Sequence, residues 1–228
     1  MKHRTLAKGI LLKRFKLIVF DWDGTLMDSA AAIVAAIQEG CRDLSVTPPS
    51  DASARQIIGL GLDDALQRAL PNLPASSYPA LAERYRHHYL TKDRELMLFE
   101  GIPELLADLQ DAGHLLAVAT GKGRKGLDRA LAGSGLAPFF HATRCVDECH
   151  SKPHPQMLQQ LMDEFAATSQ DTLMIGDTTH DLLMAKNAGV LALAVSYGAH
   201  ARAELVAEEP IYCAESVAEL RTWLKKHA

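Results

Sequence analysis

The sequence predicts an α/β fold: a parallel sheet with helices on both faces, and a small all-helical unit inserted after the first strand. Three observations predict it. Short apolar runs at 17–21, 115–119, 173–175 and 190–195 read as fully buried strands. Between the later runs lie segments with helical spacing, and strands alternating with helices imply parallel crossovers. Residues 29–97, by contrast, look helical with no strand among them.

In order, the strand at 17–21 ends in Asp21. Residues 29–44 are Ala-rich, with Ile33, Ile37 and Leu44 at helical spacing and Asp28 or Ser29 placed as the cap. Helices at 52–70 and 76–90 are separated by Pro71 and Pro74, and Gly59 and Gly61 mark a turn inside the first of them. A helix at 102–112 is stopped by Gly113, the strand at 115–119 follows, and a helix at 124–133 is closed by Gly133. A strand at 139–145 leads to a helix that Pro153 opens and that runs to residue 166. The strand at 173–175, a helix at 180–188 stopped by Gly189, the strand at 190–195 and a final helix at 215–226 complete the chain. The division expected is a basic tail at 1–16, a core at 17–28 and 98–228, and the helical insertion at 29–97.

At 228 residues the chain has room for one large domain or two unequal ones. Its 48% hydrophobic and 23% charged content is that of a globular protein, and a net charge of −4 gives no general argument for nucleic acid or membrane binding. The charge is uneven: Lys2, Arg4, Lys8, Lys13, Arg14 and Lys16 fall in the first sixteen residues, where there is no acid. Such an end could serve as an anion-binding arm, but reads better as a solvated tail. It lacks the apolar stretch and cleavage site of a secretory signal. Cys41, Cys145, Cys149 and Cys213 are too sparse for a disulfide framework and read as free thiols in a reducing cytoplasm. Cys145 and Cys149, with His141, His150 and His154 nearby, raise a zinc reading, but the spacing is not that of paired knuckles.

The polar residues gather on one edge. In an open parallel sheet, ligands bind beyond the carboxyl ends of the strands. Asp21 and Asp23 follow the first strand, Thr120 and Gly121 the second, and Gly176 and Asp177 the one at 173–175, with Asp181 just beyond. Lys152 precedes the helix opened by Pro153. Two carboxylates so close repel, so a cation or a retained proton must compensate them. Carboxylates converging without histidines suit Mg²⁺. Thr120, the Gly121 amide and Lys152 are donors of the kind phosphoryl oxygens require. A carboxylate can attack phosphorus to form an acyl-phosphate, and a second, protonated one can serve the leaving oxygen.

The segments Asp21-Trp22-Asp23-Gly24-Thr25, Ala119-Thr120-Gly121, Ser151-Lys152-Pro153 and Gly176-Asp177-Thr178-Thr179-His180-Asp181 resemble, in order, the four motifs of the haloacid dehalogenase-like hydrolases. The helical insertion resembles that family's first type of cap. Within the family the chain looks most similar to phosphoglycolate phosphatases and related small-ester phosphatases, and the cap segment Ile58-Gly59-Leu60-Gly61-Leu62-Asp63-Asp64-Ala65-Leu66 is part of that similarity. The resemblance implies a Rossmann-like core and a Mg²⁺-dependent phosphatase acting on a small phosphorylated metabolite. It implies Asp21 as nucleophile and metal ligand, and Asp23 as general acid and base with its backbone carbonyl on the metal. Thr120, Gly121 and Lys152 would hold the phosphoryl group. Asp177 would be a metal ligand, and Asp181 a ligand through water or a partner behind the ligands. Gly59, Leu60, Gly61 and Leu62 are the part of the cap expected to select substrate. Neither a nucleic acid nor a membrane is expected as partner, and oligomeric state is not readable.

Phosphosugar mutase chemistry uses the same two aspartates. Thr25, where such mutases tend to carry an aliphatic residue, favours hydrolysis. Dehalogenation needs no metal and would not retain Asp23 with Asp177. A non-catalytic phosphate-binding regulator would have lost Asp21, Asp23, Lys152 or Asp177, and none is lost. Trp22 is bulkier than the family's usual residue there and reads as core packing. Lys122, Arg124 and Lys125 crowd the start of the helix after Thr120; one reading is added positive potential for a more highly charged substrate, but a solvated face is the better reading.

Overall fold

Leu17–Phe20 (β1) is buried at every position, as a strand covered on both faces must be. The computed structural model, which describes residues 14–228, sets it in the middle of a six-stranded sheet. The other strands are β2 (Leu115–Thr120), β3 (Ala142–Cys145), β4 (Thr172–Gly176), β5 (Leu191–Val195) and β6 (Tyr212–Ala214). Their order is β3-β2-β1-β4-β5-β6, and every pairing is parallel, a Rossmann-like arrangement.

Between β1 and β2 the chain forms α1 (Ala30–Asp43), α2 (Asp51–Arg55), α3 (Leu62–Ala69), α4 (Tyr78–Lys92) and α5 (Ile102–Asp111). After β2 come α6 (Arg124–Ser134), α7 (Gln156–Phe165), α8 (Thr179–Ala188), α9 (Arg202–Ala207) and α10 (Val217–His227). Alternation along β1 divides the core between the faces of the sheet. Ile18 and Phe20 pack with Leu105 and Leu106 of α5 and Leu220 and Leu224 of α10. Leu17 and Val19 pack with Met157 and Leu161 of α7 and Met184 of α8.

Helices α1–α4 have an apolar core of their own, built on Ile33, Ile37, Leu66 and Leu81. The chain enters and leaves this helical unit by two segments that run side by side. The Asp28 amide donates to the Met97 carbonyl at 2.9 Å, and the Phe99 amide to the Leu26 carbonyl at 3.1 Å.

Several boundaries differ from the sequence reading. The turn expected inside 52–70 is there, with Gly59 at φ +92°, but it leaves two separate helices in place of one interrupted helix. The helix expected to close at Gly133 runs to Ser134, and Gly135 supplies the left-handed residue at φ +72° that ends it. The helix placed after Pro153 begins only at Gln156, with Pro155 at its N-cap. A turn at Ala137–Phe139 shortens the strand expected at 139–145. β6 and α9 were not foreseen; three and six residues are too few for a periodic pattern.

Of the basic segment 1–16, residues 1–13 lie outside the described residues. Phe15 is buried in the sheet core, and the Lys16 ammonium donates to the carbonyls of Phe165 and Ala166 at 2.7 and 2.9 Å. No described helix is long and apolar enough to cross a membrane.

Candidate active site

The carboxyl end of β1 delivers Asp21 to the edge of the sheet, where its amide donates to the Ile175 carbonyl at 2.9 Å. It therefore stands beside the end of β4, from which Asp177 emerges. The strand order reverses between these two strands, so the crevice opens there. Asp21, Asp177 and Asp181, all fully buried, each bring one oxygen within 4.8 Å of the others. The ammonium of Lys152 lies 2.7 Å from Asp21 Oδ1 and 2.6 Å from Asp181 Oδ1. Thr25 Oγ1 donates to Asp177 Oδ1 at 2.8 Å and the Ala199 amide to Oδ2 at 2.7 Å. Asp181 Oδ2 closes the capping box of α8 by accepting from the amide and hydroxyl of Thr178. A Cβ on Gly24, at φ +83°, or on Gly198 would overlap the Asp177 carboxylate. Gly24 belongs to the first motif; Gly198 gave no signal in the sequence.

Three buried carboxylates thus cluster beside one ammonium, which contacts two of them. Burial, with Asp181 and Asp23 adding to it and Lys152 opposing, pushes the Asp21 carboxyl up to about 7. Burial chiefly, then Asp21 and Asp181, raises Asp177 well above the usual carboxylate range. Burial alone would lower Lys152, but the carboxylates of Asp181 and Asp21 outweigh it and hold the ammonium charged. Asp21 Oδ2 is buried with no hydrogen-bond partner. A hard divalent cation fits this donor set: all-oxygen, short of positive charge and with one oxygen orphaned. Asp21, Asp177 and Asp181 could hold it.

Asp23 points elsewhere. Its Oδ1 accepts from Ser29 Oγ at 2.7 Å, and both its oxygens accept from Lys122 Nζ, at 3.2 and 3.0 Å. Tyr89 of α4 brings its hydroxyl to 3.5 Å from Oδ1. Lys122 therefore does not belong to a solvated face: its side chain is 10% exposed, and its ammonium sits 4.6 Å from the centroid of the Tyr89 ring. The ion pair and the aromatic face hold it inward. Ser29 stands at the N-cap of α1, makes no capping bond, and donates its hydroxyl to Asp23. Sequence reading missed Ser29, Tyr89 and Lys122 as neighbours of Asp23. Trp22 is fully buried and packs edge-on against Phe140, as core packing requires.

Thr120 ends β2 almost fully buried. Its Oγ1 accepts from the Lys122 amide at 3.1 Å, which leaves the hydroxyl hydrogen free to donate. Gly121 lies directly under the turn of the helical unit: a Cβ there would overlap the carbonyl oxygens of Gly59 and Leu60. Gly59, Leu60, Gly61 and Leu62 line a cavity of about 770 Å³ together with Asp21, Asp23, Thr120 and Gly121. The turn is anchored, since the Gly61 amide donates to Ser151 Oγ at 3.0 Å. His180 Nε2 also donates to the Gln56 carbonyl at 2.9 Å.

Among the described residues all four cysteines are free, and Cys145 and Cys149 belong to no cluster able to hold a metal. Burial pushes the Cys145 thiol up to about 12.

Known proteins resemble this chain in sequence and fold. The family model for haloacid dehalogenase-like hydrolases matches residues 18–195. The probable phosphatase IndB of Dickeya dadantii is 36% identical over 210 residues, which cover 90% of this chain and 91% of the relative. A phosphoglycolate phosphatase of Vibrio cholerae is 30% identical over 218 residues, covering 92% and 96%. A crystal structure of a predicted phosphoglycolate phosphatase from Haemophilus somnus superposes with a TM-score of 0.84 at 24% identity, over 93% of this chain and 99% of that one, and so shares the fold.

Proposed function

The chain belongs to the haloacid dehalogenase-like hydrolases, and on that footing we propose that it is a Mg²⁺-dependent phosphatase hydrolysing a small phosphate monoester through an aspartyl-phosphate. The observation that carries the proposal is Asp21 itself. It has one oxygen on a buried ammonium, one oxygen without a partner, and a cleft in front of it. The phosphatase names of its relatives support the reaction class.

Magnesium, when bound, neutralises the crowded carboxylates and draws charge from the phosphoryl oxygens. The Thr120 hydroxyl, the Gly121 amide and the Lys152 ammonium orient those oxygens. Asp21 attacks phosphorus as the bond to the leaving oxygen breaks, and Asp23 gives that oxygen a proton. Asp23 then takes a proton from the water that hydrolyses the aspartyl-phosphate. Helices α1–α4 act as a cap, with the turn at Gly59–Leu62 roofing the phosphoryl site and narrowing the choice of leaving group. An idle regulatory scaffold would lack part of this set, whereas Asp21 and Asp23 line the cleft, Asp177 clusters with Asp21, and Lys152 contacts Asp21.

The test is a screen of phosphate monoesters with Mg²⁺, ranked by kcat/KM, with p-nitrophenyl phosphate as the generic ester. Metal-dependent release of phosphate, on substrates such as phosphoglycolate or sugar phosphates, is expected. No turnover of any monoester would overturn the proposal.

A further inference from the structure

Lys122 has no part in the chemistry proposed above, yet it is bound to the group that handles the leaving oxygen. Its ammonium lies 3.0 and 3.2 Å from the two oxygens of Asp23 and 3.1 Å from the Tyr89 hydroxyl. With Ser29 at 2.7 Å, Asp23 is held towards the helical unit by donors on several sides. A carboxyl group gripped in this way cannot serve a leaving oxygen until a partner lets go. Ser29 and Tyr89 are short or rigid side chains on helices. Lys122 carries a full charge on a flexible stem, at the wall of the cavity.

The surroundings of Lys122 show what could draw it away. Arg86 lies three residues before Tyr89 on α4, and Lys125 lies on the first turn of α6. Both are exposed and line the same cavity, and neither side chain has an ion-pair partner among the described residues. Arg129 of α6 pairs with Asp93 at 2.5 Å, which holds α6 against the end of α4. Arg86, Lys122 and Lys125 thus bring positive charge to the side where the leaving group must lie if Asp23 is to reach it, while Asp63 and Asp64 of α3 and Asp147 after β3 also line the cavity.

We infer that Lys122 selects phosphate monoesters whose leaving group carries a second anionic group, a carboxylate or a phosphate, by exchanging Asp23 for that anion. The inference rests on the phosphatase reading of the site. A substrate anion replaces one charge-assisted partner of the ammonium with another, so the exchange costs little. A neutral hydroxyl cannot compete, and Asp23 stays gripped. Selection therefore acts on kcat as well as on KM. Tyr89 is a positioning residue: its hydroxyl and ring keep the ammonium at the same depth before and after the exchange.

The experiment measures kcat and KM for 2-phosphoglycolate, ethylene glycol bisphosphate, ethyl phosphate and p-nitrophenyl phosphate with Mg²⁺. The enzymes compared are the wild type, Lys122→Met, Lys122→Arg and Tyr89→Phe. The wild type should favour at least one doubly anionic ester over ethyl phosphate by about 10- to 100-fold in kcat/KM, with part of the difference in kcat. Which of the two esters is favoured identifies the anion as carboxylate or phosphate. Lys122→Met should bring that ratio close to one, Lys122→Arg should restore much of it, and Tyr89→Phe should lower it by a smaller factor. A wild type that treats ethyl phosphate as well as both doubly anionic esters overturns the inference. So does a Lys122→Met enzyme that loses the same factor on every ester. If Lys122→Met does not fold, the wild-type preference and the Tyr89→Phe ratio decide. Turnover of p-nitrophenyl phosphate without discrimination refutes this inference alone, whereas no turnover of any ester by the wild type refutes the phosphatase reading with it.

Discussion

Lys152 stands between two carboxylates, 2.7 Å from Asp21 and 2.6 Å from Asp181, with all three side chains closed off from solvent. Removing the ammonium leaves buried carboxylates without their partner, a change that costs about 3–5 kcal/mol. Lys152→Met should therefore lose about that much stability in urea unfolding as well as its activity. Mg²⁺ should return part of the stability, because a cation can replace the missing charge, but not the turnover. A variant as stable as the wild type without Mg²⁺ would show that this trio does not carry the charges assigned to it.

Binding of the cation can be read without turnover. A ligand that binds only the folded state, at a hundred times its Kd, adds about 2.7 kcal/mol. Mg²⁺ should raise the melting temperature of the wild type, and Asp177→Asn should abolish most of the rise. Chelator should remove hydrolysis of p-nitrophenyl phosphate, and Ca²⁺ should restore it poorly, because its larger and looser coordination shell misplaces the nucleophile. An undiminished thermal shift in Asp177→Asn would put the cation elsewhere.

How far the sequence discloses this site follows from what each residue depends on. β1, β2, β4 and β5 are legible because each is an apolar run buried on both faces, and the residues that follow such strands must lie at one edge. Asp21, Thr120 and Asp177 are found by that logic alone. The surroundings of Asp23 are not, since Ser29, Lys122 and Tyr89 reach it from separate segments. Lys122 looks in sequence like its neighbours Arg124 and Lys125. Only the fold turns the first towards Asp23, pairs the second with Glu148 at 2.7 Å, and leaves the third exposed. Gly198 is required only because Asp177 passes close to it, and local sequence carries no trace of that.

Gly121 tests the seating of the helical unit. A methyl group there overlaps the carbonyls of Gly59 and Leu60, so the turn must lift or the phosphoryl site must shift. Displacement of that order at a reacting centre costs about 10²-fold. Gly121→Ala should lose about that factor in kcat/KM on p-nitrophenyl phosphate, with little change in unfolding of the sheet. Lifting should also expose the paired crossings at 27–29 and 95–101 to limited proteolysis. Full activity and an unchanged cleavage pattern would mean that the turn does not close over Gly121 during turnover.

Asp21 and Asp23 stand two residues apart but in different surroundings, one at the buried ammonium and the other at the cap side of the cleft. Asp21→Asn removes the nucleophile, so no phosphoryl-enzyme should form and turnover should disappear. Asp23→Asn leaves the nucleophile and removes proton transfer, which contributes about 10²–10⁴-fold. Its loss should depend on the leaving group. An aryl phosphate, whose leaving oxygen needs little help, should still phosphorylate Asp21, while an alkyl phosphate should hardly react. The water that releases the phosphate also needs a base, so Asp23→Asn should accumulate a Mg²⁺-dependent, hydroxylamine-sensitive adduct from aryl phosphates. Rapid-quench mass spectrometry on both variants separates the roles. An adduct in Asp21→Asn would remove Asp21 as nucleophile, and equal losses on aryl and alkyl esters in Asp23→Asn would remove Asp23 as the acid.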